Sequence, residues 1–229
     1  MNTQRSDRKA ITAGIILAGG QSRRMGRDKA LLNIGGKTVI ERVKAAVEPC
    51  VGQLCLASAS DRGYEFLHLP MAPDEFPGHG PLSGLYAGMN AMDAEWYVLS
   101  ACDLPFASTS LLEHLLDQAY DYDFQKGDIP LMQVVIPSYD DRMHPLYGVY
   151  HHSVRASLAE ALQQRQFKVM DWVDQHNLME VPLEGVLKRL PPQLQESNDL
   201  TEWCLYNMND PEAYEQARHL HILNKPFDS

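Results

Sequence analysis

The apolar positions along the chain fall into short continuous runs separated by stretches with helical spacing. Three of the runs, TAGIILA (12–18), QLCLA (53–57) and EWYVLSA (95–101), are bounded by polar or turn-forming residues. Continuous apolar runs of this length predict strands that are buried on both faces, as in a parallel sheet. LMQVVIP (131–137) and PLYGVYH (145–151) predict two further strands.

The stretches between these runs carry their apolar residues at helical spacing. In TVIERVKAAV (38–47), Thr38 and Glu41 have the spacing of a capping box, which predicts the start of a helix. STSLLEHLLDQAY (108–120) and SVRASLAEALQQ (153–164) predict two more helices with one apolar face.

The last part of the chain predicts one more unit of each kind. WCLYNMNDPEAYEQARHLHIL (203–223) has the pattern of a strand, a turn and a helix, with Asp210 as the N-cap and Pro211 at the first helical position. Strands that alternate with helices predict an α/β fold, a three-layer α/β/α sandwich around a mostly parallel sheet.

The domain organisation predicted from the sequence is simple. The polar start, residues 1–10, lacks the apolar stretch of a signal peptide and is predicted to be a flexible tail. Residues 11–229 are predicted to form a single domain, with a candidate inserted loop at 183–200, where two prolines are adjacent.

Composition narrows the function classes. The formal net charge of −10 argues against general binding of nucleic acid, which needs a basic face. No apolar run approaches the roughly 18 residues that span a bilayer, so no membrane partner is expected. The four cysteines are scattered without a C-x-x-C pair, and a reduced, cytoplasmic protein is therefore predicted.

Against this acidic background, the segment AGGQSRRMGRDK (18–29) is strongly basic. Gly19 and Gly20 follow the first predicted strand, where backbone amides can approach phosphate oxygens and form an anion-binding nest. Four cations follow, offset only by Asp28: Arg23, Arg24, Arg27 and Lys29. This pattern predicts a triphosphate site, although a glycine pair alone is more typical of a tight bend.

Two common phosphate-binding motifs are absent. GGKT (35–38) resembles the end of a P-loop, but that motif needs glycine at position 31, which is Leu31. The glycines of the basic segment are adjacent, which excludes the G-x-G-x-x-G pattern.

An acidic residue is predicted at the same edge of the sheet. Asp103 directly follows a predicted buried strand, and in open α/β sheets ligands bind beyond the carboxyl ends of the strands. A carboxylate beside bound phosphates is the usual anchor for Mg²⁺. The alternative is that Asp103 and Pro105 only start a turn.

Five segments together closely resemble the molybdenum cofactor guanylyltransferases, within the larger nucleotidyltransferase group. They occur in the family's order: LAGGQSRRMGRDK (17–29), PDEFPGHGPLSGLYAGM (73–89), SACDLPF (100–106), HPLYGVY (144–150) and NMNDPE (207–212). The resemblance implies a Rossmann-like nucleotidyltransferase fold. It also implies transfer of GMP from GTP to the terminal phosphate of molybdopterin, with Mg²⁺ as cofactor and release of pyrophosphate.

The resemblance also implies roles for individual residues. It implies catalytic roles for Lys29, Arg23 and Asp103, and metal binding by Asp103 and Asn209. The implied nucleotide-binding residues are Leu17, Ala18, Gly19, Gly20, Lys29, Asp74, Gly80 and Asp103, with residues 80–84 expected to form a loop along the nucleotide. The candidates for contact with the acceptor are His144, Arg165, Lys168 and Asn207.

The chain departs from the family pattern at one segment, and two alternative functions remain open. Where the family often has an asparagine-bearing segment that contacts the nucleotide, this chain has Ala57–Ser60, so the base contacts there are open. The alternatives are a cytidylyltransferase acting on molybdopterin and a non-catalytic carrier of nucleotide or molybdopterin. The expected protein partners are other molybdenum cofactor biosynthesis proteins and the molybdoenzymes, or their chaperones, that receive the product.

Overall fold

The computed structural model describes residues 7–18, 28–58, 63–123, 132–189 and 202–223. Its strands are β1 (Thr12–Ala18), β2 (Asn33–Ile34), β3 (Lys37–Thr38), β4 (Gln53–Ser58), β5 (Met71–Ala72), β6 (Trp96–Ala101), β7 (Val134–Tyr139), β8 (Arg142–Met143), β9 (Tyr147–His151) and β10 (Leu178–Pro182). Its helices are α1 (Val39–Val47), α2 (Pro81–Ala91), α3 (Thr109–Asp123), α4 (Arg155–Gln163), α5 (Val169–Val173), α6 (Leu183–Arg189) and α7 (Pro211–Leu223).

One mixed sheet organises the fold. Its strands lie in the order β10–β7–β9–β6–β1–β4–β5, with β8 paired to β7, while β2 and β3 form a separate hairpin. The pairs β1–β4, β1–β6, β4–β5 and β7–β10 are parallel, and β9 runs antiparallel to both neighbours. The connection from β7 to β9 is too short for a crossover, which requires a dozen or more residues, so β9 must run antiparallel. The predicted mostly parallel sheet between helical layers is confirmed.

Helices cover both faces of the sheet. The apolar sides of α1 and α3 pack on one face, together with Tyr64, Cys204 and Leu205. The apolar sides of α2, α4 and α5 pack on the other face. The predicted helix start at Thr38 is confirmed, since its hydroxyl accepts from the Glu41 backbone N–H and the Glu41 carboxylate accepts from Thr38 N.

Two glycines let α2 approach the centre of the sheet closely. A Cβ at Gly84 would lie 2.5 Å from the Leu17 side chain, and one at Gly88 would lie 2.5 Å from two atoms of Ile15. Because these contacts leave no space for a methyl group, glycine at both positions sets how near the start of α2 lies to the ends of β1 and β4.

The predicted strand at the start of 203–223 is wrong. Within the described residues, 202–205 form a turn and 206–209 have no regular structure, whereas the predicted helix at Pro211–Leu223 is confirmed. Cys204, Leu205 and Met208 are buried, but they fill gaps between layers rather than extending the sheet. An apolar run in the sequence indicates that residues are buried, and here the buried residues lie in a turn instead of a strand.

The segment predicted as an inserted loop, 183–200, begins with a helix. Leu183, Val186 and Leu187 are spaced along one face of α6 and pack against the same apolar layer as α3. Residues 190–201 lie outside the described part of the chain. Within that described part, no helix is both long and apolar enough to cross a membrane.

Gly88→Ala tests the close approach of α2. The added methyl group must displace Ile15, so we expect the free energy of unfolding to fall by about 1–3 kcal/mol. The measurement is urea unfolding followed by circular dichroism. The control is Gly185→Ala in α6, where a Cβ meets nothing within 4 Å and alanine favours the helix by up to about 1 kcal/mol. Equal effects of the two substitutions would contradict this account.

Candidate functional site

The carboxyl ends of β1, β4 and β6 meet at one edge of the sheet. Their register pairs Leu17 with Ala101 and Ala18 with Ser58. The backbone N–H of Cys102 donates to the Leu17 carbonyl at 3.0 Å, so the turn that carries Asp103 begins beside the end of β1. The three strands therefore end at the same edge of the sheet.

Lys29 is held at this edge by a buried tyrosine acting through Asp28. Asp28 caps the short 3₁₀ turn Lys29–Leu31, because its Oδ1 accepts from Ala30 N at 3.0 Å. The Tyr64 hydroxyl donates to Asp28 Oδ2 at 2.5 Å. Burial, followed by this bond, raises the pKa of Tyr64 above its ordinary value, so the hydroxyl remains a donor at neutral pH. Asp28 thus positions Lys29 rather than only offsetting its charge.

The C-terminal segment meets Lys29 directly. Lys29 Nζ donates to Asn209 Oδ1 at 3.0 Å, which joins positions 180 residues apart. The Tyr214 hydroxyl in α7 donates to the Asn33 carbonyl in β2, just beyond the 3₁₀ turn. Residues 29–33 are therefore held in place by contacts with the C-terminal part of the chain.

Asp103 lies beside Lys29 with part of its carboxylate buried and unpaired. Among the described residues, Asp103 Oδ1 and Asn207 Oδ1 are buried without a hydrogen-bond partner. Burial raises the pKa of the Asp103 carboxyl, although the Lys29 charge and a hydrogen bond from the Asn207 side chain act in the opposite direction. The Met208 backbone N–H donates to the Asp103 carbonyl at 3.0 Å, which fixes the two turns against each other.

These two oxygens fit a hard divalent cation. Buried polar atoms in proteins nearly always have a partner, and a carboxylate and an amide oxygen are among the ligands that Mg²⁺ accepts. The metal set predicted from the sequence was Asp103 with Asn209. In this structure the Asn209 oxygen accepts from Lys29, and the oxygen left without a partner beside Asp103 belongs to Asn207.

Asp74 organises the loop before α2. Its Oδ1 accepts from the Phe76 backbone N–H at 2.9 Å and from the Ser83 hydroxyl. Gly80 has a positive φ of 74° and directly precedes the helix. Residues 81–84, expected to form a loop, are instead the first turn of α2, because Pro81 at the first helical position starts the helix.

The acceptor candidates lie at this edge but not in one cluster. His144 lies in the turn between β8 and β9, and its backbone N–H donates to the Pro137 carbonyl. Burial, followed by the charge of Arg142, lowers the pKa of His144. Arg165 and Lys168 are exposed in the loop between α4 and α5, and Lys168 lies 3.5 Å from Asp171.

Several sequence predictions lie outside the described residues. These are Gly19, Gly20, Arg23, Arg24, Arg27 and Ser60. Leu17 and Ala18 end β1, and Ser58 ends β4, as their positions in the predicted strands require. The positioning roles of Tyr64 and Ser83 were not predicted, since neither residue has a sequence pattern that connects it to Asp28 or Asp74.

Comparison with known proteins finds relatives that cover most of the chain. Residues 14–179 match the family model described as the MobA-like NTP transferase domain. A probable molybdenum cofactor guanylyltransferase of Carboxydothermus hydrogenoformans is 33% identical over 92% of this chain and 96% of its own. One of Bacillus cereus is 32% identical over 90% of this chain and 95% of its own.

Solved structures share the fold at lower identity. Molybdopterin-guanine dinucleotide biosynthesis protein A of Archaeoglobus fulgidus superposes with a TM-score of 0.73 at 23% identity, over 92% of this chain and 99% of that one. The 2-C-methyl-D-erythritol 4-phosphate cytidylyltransferase of Thermus thermophilus gives 0.60 at 14% identity, over 91% and 98%. At these identities the likeness shows the fold alone.

Asp103→Asn tests the burial of the carboxylate. A carboxyl with a raised pKa in the fold stabilises the protein below its unfolded pKa and loses that contribution as the pH rises through the folded pKa. In metal-free buffer we therefore expect the variant to gain thermal stability relative to wild type as the pH rises from about 4 towards neutrality. The measurement is the melting temperature in EDTA across that range, and Asp93→Asn, an exposed site, is the control. A constant difference at every pH would contradict the burial argument.

Proposed function

The chain belongs to the MobA-like NTP transferase family, and from this premise we propose that it transfers GMP from GTP to the terminal phosphate of molybdopterin. The products are the guanine dinucleotide form of the cofactor and pyrophosphate. The names of its relatives, which are 30–33% identical over most of their length, support both the donor and the acceptor.

The observation that carries the proposal is the pairing of charges at one edge of the sheet. Lys29, whose ammonium group donates to Asn209, lies beside Asp103. The Oδ1 atoms of Asp103 and Asn207 are buried and have no partner among the described residues. A triphosphate between them would have its negative charge balanced by Lys29 on one side. On the other side, a cation would balance the negative charge of Asp103 and give the buried oxygens of Asp103 and Asn207 a partner.

We propose Mg²⁺ as that cation, held by Asp103 with Asn207 nearest to it. When bound, it would neutralise phosphate charge and align the phosphate oxygens. Asn209 then acts in the first place on Lys29, by holding its ammonium group over the phosphates. The basic segment before Lys29, with Gly19, Gly20 and Arg23, is proposed to cradle the β- and γ-phosphates.

In the proposed reaction, the protein aligns the two substrates and stabilises the negative charge of the phosphates. An oxygen of the terminal phosphate of molybdopterin forms a bond to the α-phosphorus of GTP. The bond from that phosphorus to the bridging oxygen breaks, and pyrophosphate leaves with the electron pair. Because the attacking phosphate is already ionised at neutral pH, no general base is required, and Lys29 stabilises charge at the α-phosphate as it develops.

The acceptor phosphate would be bound by an uncharged histidine and by positively charged side chains. Because burial lowers the pKa of His144, its ring is uncharged at neutral pH and binds through hydrogen bonds. Arg165 and Lys168 are exposed and supply positive charge. We further propose that the reaction is cytoplasmic, with the product passed to molybdoenzymes or to their chaperones.

Nucleotide choice and turnover test the function together. With Mg²⁺ present, we expect GTP to raise the melting temperature more than CTP, ATP or UTP. We also expect pyrophosphate release that requires both GTP and molybdopterin. Preference for CTP would make the protein a cytidylyltransferase, and stabilisation by GTP without pyrophosphate release would make it a carrier.

Lys29→Met tests the charge placed on the phosphates. Removing one preorganised donor of this kind lowers kcat by about 10²–10³-fold in other enzymes, and we expect a loss of that order. The measurement is steady-state pyrophosphate release at saturating GTP. Lys188→Met, an exposed lysine in α6, is the control and should retain wild-type kcat. A Lys29→Met enzyme within about twofold of wild type would remove Lys29 from the mechanism.

A further inference from the structure

Four aromatic rings form a continuous chain at the start of α2. Phe76 lies edge-on to Tyr86 with ring centres 5.7 Å apart, and edge-on to His79 at 5.9 Å. His79 in turn meets Phe167 at 5.0 Å with an interplanar angle of 76°. Edge-to-face geometry at these distances is the favoured arrangement of aromatic pairs. We call these four residues the aromatic shelf.

The inner part of the shelf is held rigidly. The Nδ1 of His79 lies 3.1 Å from the Phe76 carbonyl and 3.2 Å from the Pro77 carbonyl. Both partners are acceptors, so Nδ1 carries the proton and fixes the plane of the ring. Phe76 is itself tied to Asp74 through its backbone N–H.

The outer end of the shelf is open. Phe167 is 47% exposed, and among the described residues His79 is the aromatic ring that it contacts. It lies between α4 and α5, in the same short loop as Arg165 and Lys168. An exposed aromatic ring flanked by two cations matches a ligand that has a planar heteroaromatic ring and a phosphate.

The inner rings of the aromatic shelf and the Lys29 segment pack on opposite faces of the sheet. Lys29 and Tyr64 belong to the face of the sheet that carries α1 and α3, because Ala30 and Tyr64 pack in that apolar layer. Phe76 and Tyr86 pack against the layer of α2, α4 and α5 on the opposite face. In an in-line displacement the attacking and leaving oxygens are on opposite sides of the phosphorus. With the pyrophosphate on the Lys29 face, the acceptor would approach from the face that carries the shelf.

We propose that Phe167, backed by His79, stacks on the pterin ring of the acceptor, and that Arg165 contacts its phosphate. This inference rests on the proposed function, since the reaction supplies both the pterin and its phosphate. Phe167 is then a residue that determines acceptor affinity. It has no part in binding GTP.

The test compares Phe167→Ala, Phe167→Leu and Phe167→Tyr. Loss of base stacking typically weakens binding by about tenfold, so we expect KM for molybdopterin to rise roughly tenfold in Phe167→Ala and less in Phe167→Leu. Phe167→Tyr, which keeps the ring, should remain near wild type. KM for GTP should be unchanged in all three. Ile11→Ala replaces a side chain of similar exposure, 39%, at the opposite edge of the sheet and should change neither constant.

A second readout does not depend on turnover. Pterins are fluorescent, so binding of pterin-6-carboxylate to the metal-free protein can be followed by quenching, which we expect to weaken in Phe167→Ala and to be restored in Phe167→Tyr. Unchanged KM and quenching in Phe167→Ala would overturn the inference, as would a rise in KM for GTP alone, which would assign the shelf to the nucleotide base. If wild type releases no pyrophosphate but its pterin binding depends on Phe167, the proposed function fails while the shelf stands.

Discussion

A buried carboxylate oxygen without a hydrogen-bond partner among the described residues is the constraint on which the site depends. Burial raises the pKa of Asp103, so the fold bears a cost whenever that group is ionised. A sequence selected for stability alone would place an apolar residue there or complete the hydrogen bonds. The Oδ1 of Asn207 is likewise buried without a partner among the described residues, which adds to the cost instead of relieving it. The cation proposed above would offset both costs.

The geometry of this site is fixed by contacts between distant parts of the sequence. The backbone N–H of Met208 donates to the carbonyl of Asp103, and Asn209 accepts from Lys29. Residues 208 and 209 therefore link the turn after β6 to the segment that carries Lys29. Met208 is itself buried with Ile34 and Phe106 in a small apolar cluster beneath the hairpin of β2 and β3. The packing of α7 and the alignment of Lys29 with Asp103 therefore depend on the same residues.

The sequence predicted the parts of this arrangement that follow local rules. Continuous apolar runs predicted β1, β4 and β6, and parallel strands must bring their carboxyl ends together, so the meeting of Asp103 with Lys29 was expected. The run at 203–206 was misjudged, because burial of Cys204 and Leu205 in a turn gives the same apolar signal as a strand. Tyr64 and Phe167 were not predicted at all. Tyr64 contacts Asp28 and Phe167 contacts His79, and no periodicity marks a contact between residues so far apart in the sequence.

In the proposed reaction, the two faces of the sheet hold different groups. Lys29, Asp28 and Tyr64 depend on the apolar layer of α1 and α3, whereas the aromatic shelf depends on the layer of α2, α4 and α5. Asp103 follows β6, a central strand that contacts both layers through alternate residues, Trp96 and Val98 on one side and Tyr97 and Leu99 on the other. A group transferred between two substrates must be held where both can reach it. The end of a central strand is such a place, since leaving-group charge can be balanced from one face while the acceptor is aligned from the other.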